Sequence, residues 1–152
     1  MNQINIVRLA DIKIIDHLVV ESLSQGFRFI DRLAREYRCD RNRFDKCGEI
    51  LLVALVEEKA IAICGLNRDP YSNNPAICRL RHLYVELSWR RSGVGSLLVS
   101  RIINEARKHY EILTLRTDTP EADMFYRTLG FKTNIDSLMP HATHFFKLSH
   151  RS

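Results

Sequence analysis

Long apolar runs are missing from this chain. The longest, Ile50 to Val56, falls far short of the ~20 residues that a membrane-spanning helix needs. The opening stretch, MNQINIVRLADIKII, has no basic segment leading into an apolar one, so neither export nor a membrane partner is expected. Repeats, low-complexity tracts and linker-like Pro/Gly/Ser stretches are absent too, which predicts one domain over residues 1–152. There are four cysteines, but Cys39, Cys47, Cys64 and Cys78 are separated by seven, sixteen and thirteen residues, and this matches neither a zinc-ligand pattern nor a C-x-x-C redox motif. Free thiols, no metal and a reducing, cytoplasmic compartment are the expectation. Nor is there a run of five basic residues, or basic residues interleaved with aromatics. The net charge of +5 therefore points to an anionic ligand and not to nucleic acid.

The hydrophobic periodicity is of two kinds. Ile4, Ile6 and Val7 read as a strand, after which Asp11 is placed to cap a helix carrying Ile12, Ile15, Leu18 and Val19. Gly26 interrupts, and Phe27, Ile30, Leu33, Ala34 and Tyr37 recur at helical spacing among charges. Two apolar strands, Ile50 to Val56 and Ala60 to Leu66, turn at Glu57-Glu58-Lys59. After the turn-rich Asn67 to Pro75 comes a central strand from Ile77 to Val85. Strict alternation in that strand sets Arg79, Arg81, Leu83 and Val85 on one face and Leu80, His82 and Tyr84 on the other. Val94 to His109 then reads as a helix, Ile112 to Thr117 as a strand, and Pro120 to Leu129 as a helix closed by Gly130. Phe131 to Ile135 and His144 to Leu148 read as a last pair of strands. The fold class is α/β, a mixed sheet covered by helices.

The most informative stretch is Leu83 to Leu98, LYVELSWRRSGVGSLL, where a strand end runs through a glycine-containing turn into a helix. The first turn of a helix has backbone N–H groups without intrahelical partners and carries the positive end of the peptide dipoles, so a phosphate or pyrophosphate fits there. Gly93 and Gly95 let a ligand approach the backbone, and Arg90 and Arg91 bring positive charge to the turn.

Arg90-x-x-Gly93-x-Gly95 after Leu83-Tyr84-Val85 resembles the [QR]-x-x-G-x-[GA] motif of the GNAT superfamily of acetyl-CoA-dependent N-acetyltransferases. Ala122-x-x-Phe125-Tyr126-x-x-Leu129-Gly130-Phe131 is similar to that superfamily's A-x-x-[FL]-Y-x-x-L-G-F signature. The resemblance implies a mostly antiparallel central sheet flanked by about four helices. It implies that N–H groups around Arg91, Gly93, Val94, Gly95 and Ser96 hold the coenzyme A pyrophosphate, and that the main chain of Leu83, Tyr84 and Val85 meets the pantetheine arm. Thr119 stands where relatives often have an asparagine that touches the cofactor. Tyr126 matches the tyrosine that in many members gives a proton to the departing thiolate. The implied activity is acetyl transfer from acetyl-CoA to a small-molecule or peptide amine, with a non-catalytic acyl-CoA-binding module as the alternative.

The acceptor side is less legible. The resemblance puts the two N-terminal helices at the acceptor wall, which brings Phe27 into that pocket, and His144 lies where acceptors often approach. Arg79 and Arg81 form a candidate clamp for an anionic acceptor, or else they pair with Glu49 or Glu21. The central-strand face that carries Glu or His in some relatives carries these arginines here. Glu21, Asp31, Glu49, Asp118 and His144 stay open as general bases, and His82 is expected to be a core histidine. The final strands of this fold often reach a partner subunit, which leaves a homodimer open.

Overall fold

The computed structural model describes residues 3–135 and 139–148. Seven strands form one sheet: β1 (Asn5–Arg8), β2 (Ile50–Val56), β3 (Lys59–Arg68), β4 (Ile77–Val85), β5 (Ile112–Leu115), β6 (Lys132–Thr133) and β7 (His144–Lys147). Their spatial order is β1-β2-β3-β4-β5-β7-β6, and every neighbouring pair is antiparallel except β4 with β5. The helices are α1 (Asp16–Ser24), α2 (Phe29–Arg38), α3 (Val94–Arg107) and α4 (Pro120–Thr128).

β2 is apolar throughout because both of its faces are covered. Leu52, Ala54 and Val56 pack toward α3 with Leu98, Val99 and Ile102, while Leu51 and Val53 join Leu18, Ile30 and Leu33 of α1 and α2. A strand buried on both sides has no polar face to show, so it reads as a continuous run. Close approach explains Gly65 of β3: a Cβ there would come within 2.5 Å of the Phe44 ring, which closes over the sheet from the loop after α2.

The sheet departs from the expected alternation at one place. In the β3–β4 ladder Tyr84 faces Ile63 and Arg81 faces Gly65, so His82 and Leu83 together stand opposite Cys64 alone. This is a β-bulge, with His82 in the left-handed region at φ 63°. The extra residue reverses the phase of the strand. Leu80, Leu83 and Val85 all pack on the α3 side. Tyr84 packs on the α1/α2 side, and His82 stacks on Phe29 of α2. Arg79 and Arg81 alternate with Cys78 and Leu80, so they share the α1/α2 face with His82 and Tyr84, not with Leu83 and Val85.

Other differences are smaller. Asp11 accepts a hydrogen bond from the Lys13 N–H and caps a 3-10 turn, Ile12–Ile15, before α1 begins. α3 ends at Arg107, and β6 has only two residues, both exposed at the sheet edge. No helix among the described residues is long and apolar enough to cross a membrane.

Candidate active site

The parallel pair β4–β5 is joined only at Ile77↔Ile112, Cys78↔Leu113 and Arg79↔Thr114. Beyond Arg79 no pairing joins the two strands, and a gap opens that leads to the turn before α3. The Glu86 N–H donates to Ile61 O at 2.8 Å. Ala62↔Val85 is therefore a wide, non-hydrogen-bonded pair, and the N–H and C=O of Val85 face the gap. Leu83 lies beside it on the same strand.

The turn itself is built for an anion. Arg91 (φ 64°) and Gly93 (φ 90°) both take left-handed conformations, and Gly93 is the N-cap of α3 with no side-chain cap. The N–H groups of Val94, Gly95 and Ser96 thus lack intrahelical partners and point out of the helix end. A Cβ at Gly93 would meet open space, so its glycine is required by the backbone angle and not by crowding. Gly95 is different: a Cβ there would sit 3.4 Å from Phe125 of α4 and 3.6 Å from Val85. The groove between α3 and α4, about 470 Å³, runs from Ser96 past Pro120, Met124 and Phe125.

Arg90 does not face that helix end. Its Nε donates to Val85 O at 3.0 Å and its guanidinium lies over the Tyr84 ring at 5.3 Å, so it anchors the strand end and leaves the Val85 N–H as the free group. Arg91 is exposed and has no partner among the described residues. The hydroxyl of Thr119 accepts from the Ala122 N–H at 3.1 Å and caps α4. Asp118 is exposed, 4.0 Å from Arg116.

Tyr126 lies on the α3/α4 face, 7% exposed, between Phe125 and Phe131. Its hydroxyl has no hydrogen-bond partner among the described residues. Burial raises its pKa well above the ordinary tyrosine value, so the phenol stays protonated and able to donate. His144, in β7, is on this same face, 6.3 Å from the Tyr126 ring. Both of its ring nitrogens are engaged, Nε2 with Asp123 at 2.7 Å and Nδ1 with Thr143 Oγ1 at 2.8 Å. This contact, followed by Arg127, holds the Asp123 carboxyl below its usual range.

The α1/α2 face of the gap is lined by Arg79, Arg81 and His82, with Tyr84 behind them. The Tyr84 hydroxyl donates to Glu21 at 2.5 Å and accepts from Gln25 at 2.8 Å, and burial together with Glu21 pushes its pKa up to about 12. Glu21 also accepts the Leu87 N–H. Glu49 accepts from Asn67 and the Arg68 N–H, and Asp31 pairs with Arg35. The carboxylates considered as bases on this side are therefore already bonded. Arg79 pairs with neither Glu49 nor Glu21. Its Nη2 donates to His141 O at 3.1 Å, it lies 4.7 Å from the Tyr71 ring, and its Nη1 is 3.9 Å from Asp69. Phe27 is 44% exposed just before α2, 5.9 Å from Phe29.

Sequence reasoning had no signal for the Asp69 contact or for the unusual state of His82. Burial, then Arg81 and Arg32, push the His82 pKa down to about 3, and its Nε2 is buried without a partner. Below about pH 6.5 the unfolded chain takes up a proton that the native imidazole refuses. Above that pH the contribution is nil; below it, stability is lost at about 1.4 kcal/mol per pH unit until about pH 3. Urea unfolding at pH 7 and pH 5 is expected to show this loss, and His82→Gln is expected to lessen it by about 2 kcal/mol.

Residues 47–133, more than half of the chain, match the family described as the acetyltransferase (GNAT) domain. No curated protein sequence matches significantly. Among solved structures, an inferred acetyltransferase from Exiguobacterium sp. 255-15 is 29% identical with a TM-score of 0.82, covering 95% of this chain and 93% of that one. A GNAT family N-acetyltransferase from Escherichia coli, solved with CoA, is 18% identical with a TM-score of 0.70, covering 97% and 82%. A Salmonella typhimurium protein solved with acetyl-CoA is 13% identical with a TM-score of 0.72, covering 99% and 96%. These last two share the fold. With the domain match spanning the β2 to β6 region that holds the turn, the gap and Tyr126, the chain belongs to the GNAT acetyltransferase family.

Proposed function

We propose that this protein is an N-acetyltransferase that moves the acetyl group of acetyl-CoA directly to an amine. One observation carries the reading: a helix end with free N–H groups, the unpaired end of β4 at Val85, and a protonated tyrosine with an unused hydroxyl all border the same core on the α3 side of the sheet. The Escherichia coli and Salmonella relatives, solved with CoA and acetyl-CoA, support the choice of cofactor. The N–H groups of Val94, Gly95 and Ser96, with Arg91 at the rim, receive the pyrophosphate. The pantetheine lies along Leu83, Tyr84 and Val85, where the Val85 N–H is available. The α3/α4 groove from Ser96 to Phe125 takes the remainder of the coenzyme.

In the reaction the amine nitrogen bonds to the acetyl carbon, the C–S bond breaks, and Tyr126 supplies a proton to the leaving sulfur. The amine proton leaves to water, and solvent returns a proton to Tyr126, which restores the phenol for the next turnover. No covalent intermediate is involved: Cys64 and Cys78 are buried with thiol pKa values pushed up by burial, and Cys39 and Cys47 are exposed and outside the tract. Four unpaired cysteines are in keeping with a cytoplasmic location.

Incubation with acetyl-CoA and a panel of primary amines is expected to yield acetylated product by mass spectrometry together with stoichiometric CoA. The hydrogen bonds that already engage Glu21 and Glu49 favour a second reading, a non-catalytic acyl-CoA-binding protein. Saturable acetyl-CoA binding without any acetylated amine would establish that reading in place of the first.

A further inference from the structure

The acceptor face of the gap has more positive charge than its surroundings neutralise. Arg79 and Arg81 project from β4 on that face, Arg32 comes from α2, and Arg116 follows β5. They gather around His82 and Arg79: Arg81 stands opposite Gly65 beside His82, Arg32 is one turn beyond the Phe29 that stacks on His82, and Arg116 follows Thr114, the β5 partner of Arg79, so Arg81 and Arg116 both oppose the charge on Arg79. The available carboxylates do not balance them. Asp69 is buried against Arg79, and Asp118, 84% exposed, lies 4.0 Å from Arg116. The side chains of Arg81, half-buried, and Arg32, exposed, have no hydrogen bond or ion pair among the described residues. Guanidinium groups gathered without counter-charge repel one another, and beside a low-dielectric wall of Phe29, Phe44 and His82 that repulsion is poorly screened. A ligand anion relieves it, and a guanidinium offers a carboxylate or phosphate two parallel N–H donors.

We propose that the acceptor is an amine that also bears a carboxylate or phosphate group, and that Arg81, with Arg32 beside it, binds that group while the amine reaches the gap. Arg79 is not the primary ligand, because Asp69 and His141 already hold it; it keeps the floor of the subsite positive. This rests on the transferase reading for the amine, but the anion subsite can be measured by itself.

The test pairs amines of similar size, γ-aminobutyrate against butylamine for the carboxylate and O-phosphoethanolamine against ethanolamine for the phosphate. Each is titrated into the CoA-loaded protein by calorimetry and assayed for acetylation. At least one anionic member is expected to bind about 10 to 100 times more tightly than its neutral partner, and the arm that shows it identifies the anion. The preference is expected to shrink with added salt, to vanish in Arg81→Gln and to return in part in Arg81→Lys. The Arg81 side chain is partly solvent-accessible and unpaired among the described residues, so neither change removes a hydrogen bond or ion pair of the fold; circular dichroism and direct acetyl-CoA binding check this. Equal binding within both pairs, or a preference that survives in Arg81→Gln, overturns the proposal. An Arg81-dependent anion preference in binding, with no acetylation of any amine, upholds the subsite and overturns the transferase reading instead.

Discussion

Tyr126→Phe is expected to lower kcat for acetyl transfer by about a hundredfold, the lower end of what a positioned proton donor contributes, while leaving acetyl-CoA affinity unchanged. The two effects separate because of where the hydroxyl lies. It has no hydrogen-bond partner among the described residues, so its removal orphans no buried group there, and phenylalanine keeps the ring contacts with Phe125 and Phe131 at 5.0 and 5.4 Å. Only the thiolate leaving group loses something. The raised pKa makes a second readout: the phenol is protonated throughout the neutral range, so wild-type activity should show no alkaline decline near the ordinary tyrosine pKa. An unchanged kcat in the variant, measured under single-turnover conditions so that product release does not mask chemistry, would show that sulfur departs without this proton.

Asp69→Ala is expected to reduce unfolding free energy by about 3–5 kcal/mol, the range for breaking a buried ion pair from one side. Asp69 is 5% exposed. It takes Thr114 Oγ1 at 2.8 Å and the Tyr71 N–H at 2.9 Å, and it is the carboxylate nearest the buried Arg79 guanidinium. Without it Arg79 is a buried charge with one carbonyl contact, and the loop before β4 loses its tie to β5. Burial already lowers the Arg79 pKa, with Asp69 the largest opposing influence, so the carboxylate is what keeps the arginine tolerable there. Urea denaturation of Asp69→Ala beside Asp69→Ala/Arg79→Met checks this. The double variant should recover most of the loss, because the uncompensated charge is then gone; if it does not, the loss belongs to the loop hydrogen bonds.

Sequence patterning placed the strand–turn–helix run into α3 and the bounds of α4 well because local rules govern them. The run into α3 depends on glycine angles and a change from strand to helix period, and α4 is bounded by Pro120 and Gly130, all of which are short-range effects. What escaped depends on contacts between distant segments. The bulge at His82 has no glycine to announce it, and the single extra residue turned the predicted faces of Leu83, Val85 and Tyr84 over. Arg79 was legible as a central-strand arginine but not as a partner of Asp69, since their approach needs the β3–β4 connection to fold back on the strand. Arg90 read as a phosphate ligand by proximity, yet a flexible side chain next to an unpaired carbonyl bonds it first. Thr119 was assigned to the cofactor and serves as a helix cap, two roles that one hydroxyl in one position makes equally plausible from sequence.

The distribution of the cysteines has a practical consequence. Cys39 and Cys47 are exposed, whereas Cys64 and Cys78 are buried on adjacent strands with their thiols held protonated. An aromatic disulfide reagent used to follow CoA release will also titrate the two surface thiols on every chain, so product counts need an enzyme blank or prior alkylation. The same reagent gains a second use. Slow reaction of the remaining pair reports how often β3 and β4 part from the rest of the sheet, a chemical clock for the opening of the strand that bears Arg81, His82 and Val85.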